Sequence, residues 1–198
     1  MKFNTGWIIF AGVIFFIALA IIYVHEKTGI FYKIVYTDIV DHYAKVSNVD
    51  PLLIGAMVRK ESSVNSEAVS RKGAIGLMQL MPPTAKELAQ DLKIRNWSDE
   101  KLKNPEANVM LGTYYLQKLL KRYDNDLIMA LGAYNAGIGN IDVVRFLKSG
   151  QEVEISDLPF KETRDYVRSI LFTYRIYKFM DSIKKLPRVI YTELRDAA

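Results

Sequence analysis

From Gly6 to Val24 the chain carries no charged or strongly polar side chain, and beyond it apolar residues recur three and four apart almost to the end. The first pattern is that of a membrane span. At about 1.5 Å per residue this run makes about 28 Å of helix, close to the roughly 30 Å of a hydrocarbon core. Trp7 and Tyr23 stand at its two ends, where amphipathic rings favour the interfaces. The second pattern predicts helices. Ile30, Ile34, Val40, Tyr43 and Val46 mark one over 30–46, and Asp50 with Pro51 opens another, since an aspartate caps free amides and proline suits the first helical position. Pro83 to Leu92 follows, then a polar connection through Asn96, Ser98 and Asp99. Asn104-Pro105 repeats the cap-and-proline start of a helix reaching about Tyr123, with Val109, Leu116, Leu119 and Leu120 on its stripe. Short helices over Leu127–Asn135 and Ile141–Lys148 precede a long one from about Glu162 to Lys184. No convincing alternation of period two occurs, so the expected fold class is all-α.

One charge breaks this pattern. Ile54, Met57, Val58 and Glu61 share a helical stripe, so the carboxyl of Glu61 falls among side chains that must face a core. Ser62, Ser63 and Asn65 end the helical pattern just after it, which puts Glu61 near the negative end of the helix dipole. Burial and the dipole both disfavour the anion and raise the pKa, as a general acid requires. From the helix alone the favoured reading is the plainer one, that Glu61 reaches solvent at a helix end, since charged residues are rarely fully buried. Downstream, Leu77 to Met81 is apolar except for Gln79, a side chain that needs a hydrogen-bond partner in such a setting.

Taken in order, Glu61-Ser62, Ala68-Val69-Ser70, Gly73-Ala74-Ile75-Gly76-Leu77-Met78-Gln79 and Met81-Pro82-Pro83-Thr84-Ala85 resemble the signature of the Slt-type lytic transglycosylases. These are goose-lysozyme-like enzymes that cleave bacterial cell-wall glycan. The likeness continues at Asn108, Gly112 and Tyr115-Leu116, at Ala133-Tyr134-Asn135-Ala136-Gly137, and at Glu162-Thr163 with Tyr166-Val167, covering about 31–179. Val64 and Ser66 depart from it, standing where the family often has an aromatic residue and a proline. The resemblance implies a lysozyme-like helical domain that cuts peptidoglycan strands between N-acetylmuramic acid and N-acetylglucosamine and leaves a 1,6-anhydromuramyl end. It implies Glu61 as the acid and then the base. It also implies Ser70, Gln79, Met81, Tyr134, Asn135 and Glu162 as groove residues, with Tyr134 beside the acid and able to hydrogen-bond to it. Without the family, Met81 reads as core, Tyr134 as an interfacial tyrosine, and Glu162 as a residue that merely favours a helix N-terminus.

Composition narrows the chemistry. There is no cysteine and there are only two histidines, His25 and His42, so thiol nucleophiles, zinc-thiolate sites and a Ser-His-Asp triad have little to draw on. No metal or organic cofactor is expected. The net charge of +5 fits anionic surroundings, but Lys and Arg are spread along the helices and no nucleic-acid reader motif is present. The expected organisation is a signal-anchor over 1–25, a catalytic domain over 26–186 and a tail over 187–198. The span is expected to stay uncleaved in the cytoplasmic membrane, with the domain on its extracytoplasmic side, where the family's substrate lies. The linker His25–Gly29 extends at most about 18 Å, which keeps the domain close to that membrane. Two other readings are carried: a muramidase of the same fold that delivers water, and a membrane-tethered glycan-binding scaffold without turnover.

Overall fold

The computed structural model describes residues 37–196, with side chains to residue 182, together with Gly12, Phe15 and Phe16. The proposed span over 6–24 therefore lies outside the described residues apart from those three. Among the described residues no helix is long and apolar enough to cross a membrane. The chain divides into Met1–Ile34 and Val35–Ala198, and every helix named below belongs to the second unit.

That unit is all-helical: α1 (Thr37–Ser47), α2 (Pro51–Ser62), α3 (Pro82–Asp91), a 3₁₀ turn (Asp99–Lys103), α4 (Pro105–Arg122), α5 (Leu127–Ala136), α6 (Ile138–Leu147), a 3₁₀ turn (Ile155–Asp157) and α7 (Lys161–Asp196). The caps read from sequence close as hydrogen bonds. Asp50 accepts from the Leu52 amide at 2.9 Å, Asn104 from that of Ala107 at 3.0 Å and Asp126 from that of Met129 at 2.9 Å. Each satisfies one of the orphan amides at a helix start and contributes about 1 kcal/mol.

The core forms around α2, whose residues Leu52 to Val58 are all buried; it packs against α1 and α7. Ile54 and Met57 are fully inaccessible, so truncating either to alanine costs about 2 to 5 kcal/mol. α5, apolar nearly all round, lies against α4, α6 and α7. Gln117 of α4 donates to the Ser47 carbonyl at 2.8 Å, tying α4 to the end of α1. Tyr174 of α7 donates to the second carboxylate oxygen of Asp50 at 2.6 Å, so the cap of α2 also fixes its register against α7.

Three details differ from the sequence expectation. α6 starts at Ile138, directly after Gly137, whose φ of +87° and ψ of +149° end one helix and begin the next without a linker. α7 continues past Lys184 and through Pro187 to Asp196, where the sequence predicts a tail. Proline removes one helical hydrogen bond, but the residues after it keep enough helix propensity to carry the element on. Between α2 and α3 the chain makes two isolated antiparallel bridges, Val69 with Ile75 and Ile75 with Leu80, not strands.

Candidate active site

Glu61 sits in the last turn of α2. Ser63 at φ +52° and Val64 at φ +69° stop the helix with two successive left-handed residues and turn the chain sharply into the loop 65–80. A β-branched residue in that region is strained, and such strain gathers where a site over-determines the backbone. The loop folds on itself. The Ser70 hydroxyl accepts from the Ala74 amide at 2.9 Å, and the Gly76 amide donates to the Ala68 carbonyl at 2.8 Å.

Asn108 of α4 is fully buried and pins the loop with its whole amide. Its oxygen accepts from the Met78 amide at 2.7 Å, and its nitrogen donates to the carbonyls of Ile75 and Leu102, each at 2.8 Å. Gly76 is required beside it. A Cβ there would lie 2.2 Å from the Asn108 amide nitrogen, and φ is already +83°. Gly112, a turn further along α4, makes room in the same way, since a Cβ on it would meet the Met78 sulfur at 2.5 Å. Gly112 thus permits the close approach of this loop to α4.

The folded loop, the end of α2, the end of α5 and the start of α7 enclose a cleft of about 490 Å³. Glu61, Ser70, Gln79, Met81, Tyr134, Asn135 and Glu162 all line it, with Arg71, Lys72 and Ala74. Met78 is wholly inaccessible, whereas Met81 is 39% exposed, so of these two methionines it is Met81 that offers an apolar face to a ligand. Gln79, at φ +48°, donates to the carbonyls of Ala68 and Gly76 at 3.1 and 2.8 Å, which leaves its oxygen as an acceptor for the cleft. Asn135 accepts from the Thr163 hydroxyl at 2.8 Å, which leaves its amide nitrogen as a donor. Glu162, in the first turn of α7, pairs across solvent with Lys72 at 3.8 Å.

The acid's hydrogen-bond partner is not the tyrosine that the resemblance implies. The Tyr134 hydroxyl donates to the Met78 carbonyl at 2.8 Å, and its ring packs against Tyr115 with centroids 5.2 Å apart. The hydroxyl that donates to Glu61 is that of Tyr166 on α7. The cause is geometric: Tyr134 has a strong acceptor in the loop that Asn108 holds, whereas Tyr166 lies one turn beyond Glu162 on the same face of α7. That spacing of four is legible in the sequence.

Burial of the carboxyl outweighs the Tyr166 hydrogen bond and the nearby Lys60 cation, and raises the Glu61 pKa from 4.5 to about 7. Burial also pushes the hydroxyls of Tyr166 and Tyr134 well above the ordinary tyrosine value, so both stay protonated and remain donors. Tyr166, buried itself, has Glu61 as its acceptor. With Oε1 occupied in this way, the acid's own proton belongs on Oε2. The arrangement can therefore donate and recover one proton near neutral pH.

Residues 38–153, more than half of the chain, match the model of the transglycosylase SLT domain. The chain belongs to that family. It is 32% identical over 160 residues to the soluble lytic murein transglycosylase of Escherichia coli K12, covering 75% of this chain and 24% of that protein. It is 45% identical over 76 residues to the endo-type membrane-bound lytic murein transglycosylase A of Klebsiella pneumoniae, 36% of each chain. The fold is similar to that of the lytic transglycosylase Slt of Pseudomonas aeruginosa, solved as an inactive glutamate-to-glutamine mutant, with a TM-score of 0.69 at 33% identity over 76% of this chain and 25% of that one. This SLT-domain chain spans about a quarter of the length of the soluble transglycosylases it matches.

Proposed function

We propose that this SLT-domain protein is a peptidoglycan lytic transglycosylase in which Glu61 serves first as acid and then as base. The observation that carries the reading is a carboxyl near half-protonation at neutral pH, fixed by Tyr166 and facing a sugar-sized cleft. Hydrolytic glycosidases generally use two carboxyls, one of them as base or nucleophile. Among the described residues the only other carboxylate lining the cleft is Glu162, whose side chain is 74% exposed and ion-paired with Lys72. That favours a route with a single acid.

In this route Oε2 of Glu61 gives its proton to the glycosidic oxygen, and the bond from that oxygen to the muramyl C1 breaks. The acetamido carbonyl of the same sugar stabilises the cationic centre. The Glu61 carboxylate then takes the proton of the muramyl 6-hydroxyl as O6 bonds to C1, which closes the 1,6-anhydro ring without water and restores the acid. A pKa near the working pH suits a group that must act in both directions. Ser70 can donate its hydroxyl proton, Gln79 can accept, Asn135 can donate and Met81 can cover a sugar face.

The test is release of soluble fragments from purified cell wall: Glu61→Gln abolishes it while the helical content is unchanged. A Gln variant with wild-type release would exclude the mechanism. The proposal extends to location. Residues 6–24 anchor the chain in the cytoplasmic membrane with the domain outside, a reading supported by their uninterrupted apolarity and by where peptidoglycan lies. Resistance of the chain to alkaline extraction, together with protease access to Lys86 from the outer side only, is the expected outcome.

A further inference from the structure

The cleft carries charge that the proton transfer does not use. Arg71 and Lys72 both line it, against Glu162 alone once Glu61 holds its proton. Lys72 faces Glu162 at 3.8 Å, an exposed pair in which the carboxylate partly offsets the lysine's charge. The guanidinium of Arg71 makes no ion pair or hydrogen bond among the described residues, although its two neighbours in the loop, Ser70 and Lys72, are both engaged. One cation therefore stands on the wall of the cleft, on a loop held by Asn108, without a partner among the described residues.

The two sugars of the glycan differ by one group: muramic acid carries a lactyl arm that ends in a carboxyl, free or extended into a peptide stem with carboxylates of its own. Resting on the transglycosylase reading, we infer that Arg71 is a specificity-determining residue that binds a carboxylate carried on the muramyl lactyl arm. An arginine fork matches a carboxylate in two parallel hydrogen bonds, and a bound glycan that displaces water from the cleft strengthens the pair. The Glu162–Lys72 pair gives this recognition its position. With the Glu162 carboxylate beside Lys72, an incoming anion is repelled from that side and favours Arg71 over its neighbour.

The test is binding of the full chain carrying Glu61→Gln, so that no turnover intervenes, to one tetrasaccharide of alternating N-acetylglucosamine and N-acetylmuramic acid in three forms: lactyl carboxylates free, lactyl groups as neutral methylamides, and lactyl groups bearing peptide stems. Adding Arg71→Gln weakens binding of a carboxylate-bearing form about five- to tenfold, leaves the methylamide form unchanged, and removes the salt dependence that separates them. Whichever carboxylate form loses affinity identifies the source, lactyl or stem. Lys86→Gln, on an exposed helix position away from the cleft, moves neither. Equal loss on the neutral form, no loss on any form, or failure of all three forms to bind would overturn the inference. Carboxylate-dependent binding in a chain whose unsubstituted form releases no anhydro product would instead overturn the transglycosylase reading and leave this one standing.

Discussion

The hydroxyl of Tyr166 donates to Oε1 of Glu61 at 2.5 Å, joining the last turn of α2 to the second turn of α7 across 105 residues of sequence. One hydrogen bond orients the acid, fixes which oxygen carries its proton, and partly offsets the burial that raises its pKa.

Tyr166→Phe deletes the bond and keeps the ring. The hydrogen bond favours the carboxylate, so its loss raises the Glu61 pKa above about 7 and moves the alkaline limb of the activity profile to higher pH. The freed carboxyl also loses its orientation, and kcat falls about ten- to a hundredfold. A pH profile of fragment release checks both. A limb that stays in place or moves to lower pH contradicts the assignment of Tyr166.

Glu61→Gln gives a stability signature independent of catalysis. A carboxyl whose pKa is raised by folding supports the fold fully below its ordinary value of 4.5, and that support is lost as pH rises toward and through about 7. Glutamine has no such loss and still accepts from Tyr166. Urea denaturation should find the two proteins alike near pH 4.5 and the variant more stable by about 1 to 3 kcal/mol at pH 8. A difference independent of pH would mean that Glu61 is not desolvated.

Asn108→Ala strands three buried backbone groups, the Met78 amide and the carbonyls of Ile75 and Leu102, and should cost at least about 3 kcal/mol. Gly76→Ala should cost at least about 2 kcal/mol, because it adds a Cβ against Asn108 at a positive φ. Both variants should lose activity at temperatures where they remain folded, since Gln79 and the Met78 carbonyl lose their support. Urea midpoints with activity measured below them separate the two effects.

The helices and the cleft are legible in the sequence for different reasons. Caps such as Asp50 and Asn104 act within a few residues of themselves, and periodic apolar stripes state which face is buried, so α2, α4 and α5 follow from local chemistry. The stripe places Glu61 beside core residues, but spacing alone leaves open whether its carboxyl is buried or reaches solvent. The seven predicted site residues among those that line the cleft are found through ordered motifs, which periodicity alone does not supply. Partner choice is not legible. Whether Tyr134 or Tyr166 donates to Glu61 depends on which carbonyl the folded loop brings to Tyr134, and that depends on Asn108, a buried polar residue on an apolar stripe whose demand for partners resembles that of Gln79. The length of α7 beyond Pro187 is hidden because proline usually reads as a stop, whereas a helix long enough can absorb the loss of one bond.

The most direct measurement is the mass of the soluble products released from purified cell wall by the intact chain. Closure of the muramyl 6-hydroxyl onto C1 predicts fragments lighter by one water than those of hydrolysis, with no oxygen incorporated from labelled solvent. Products at the hydrated mass, carrying solvent oxygen at the muramyl C1, would contradict it.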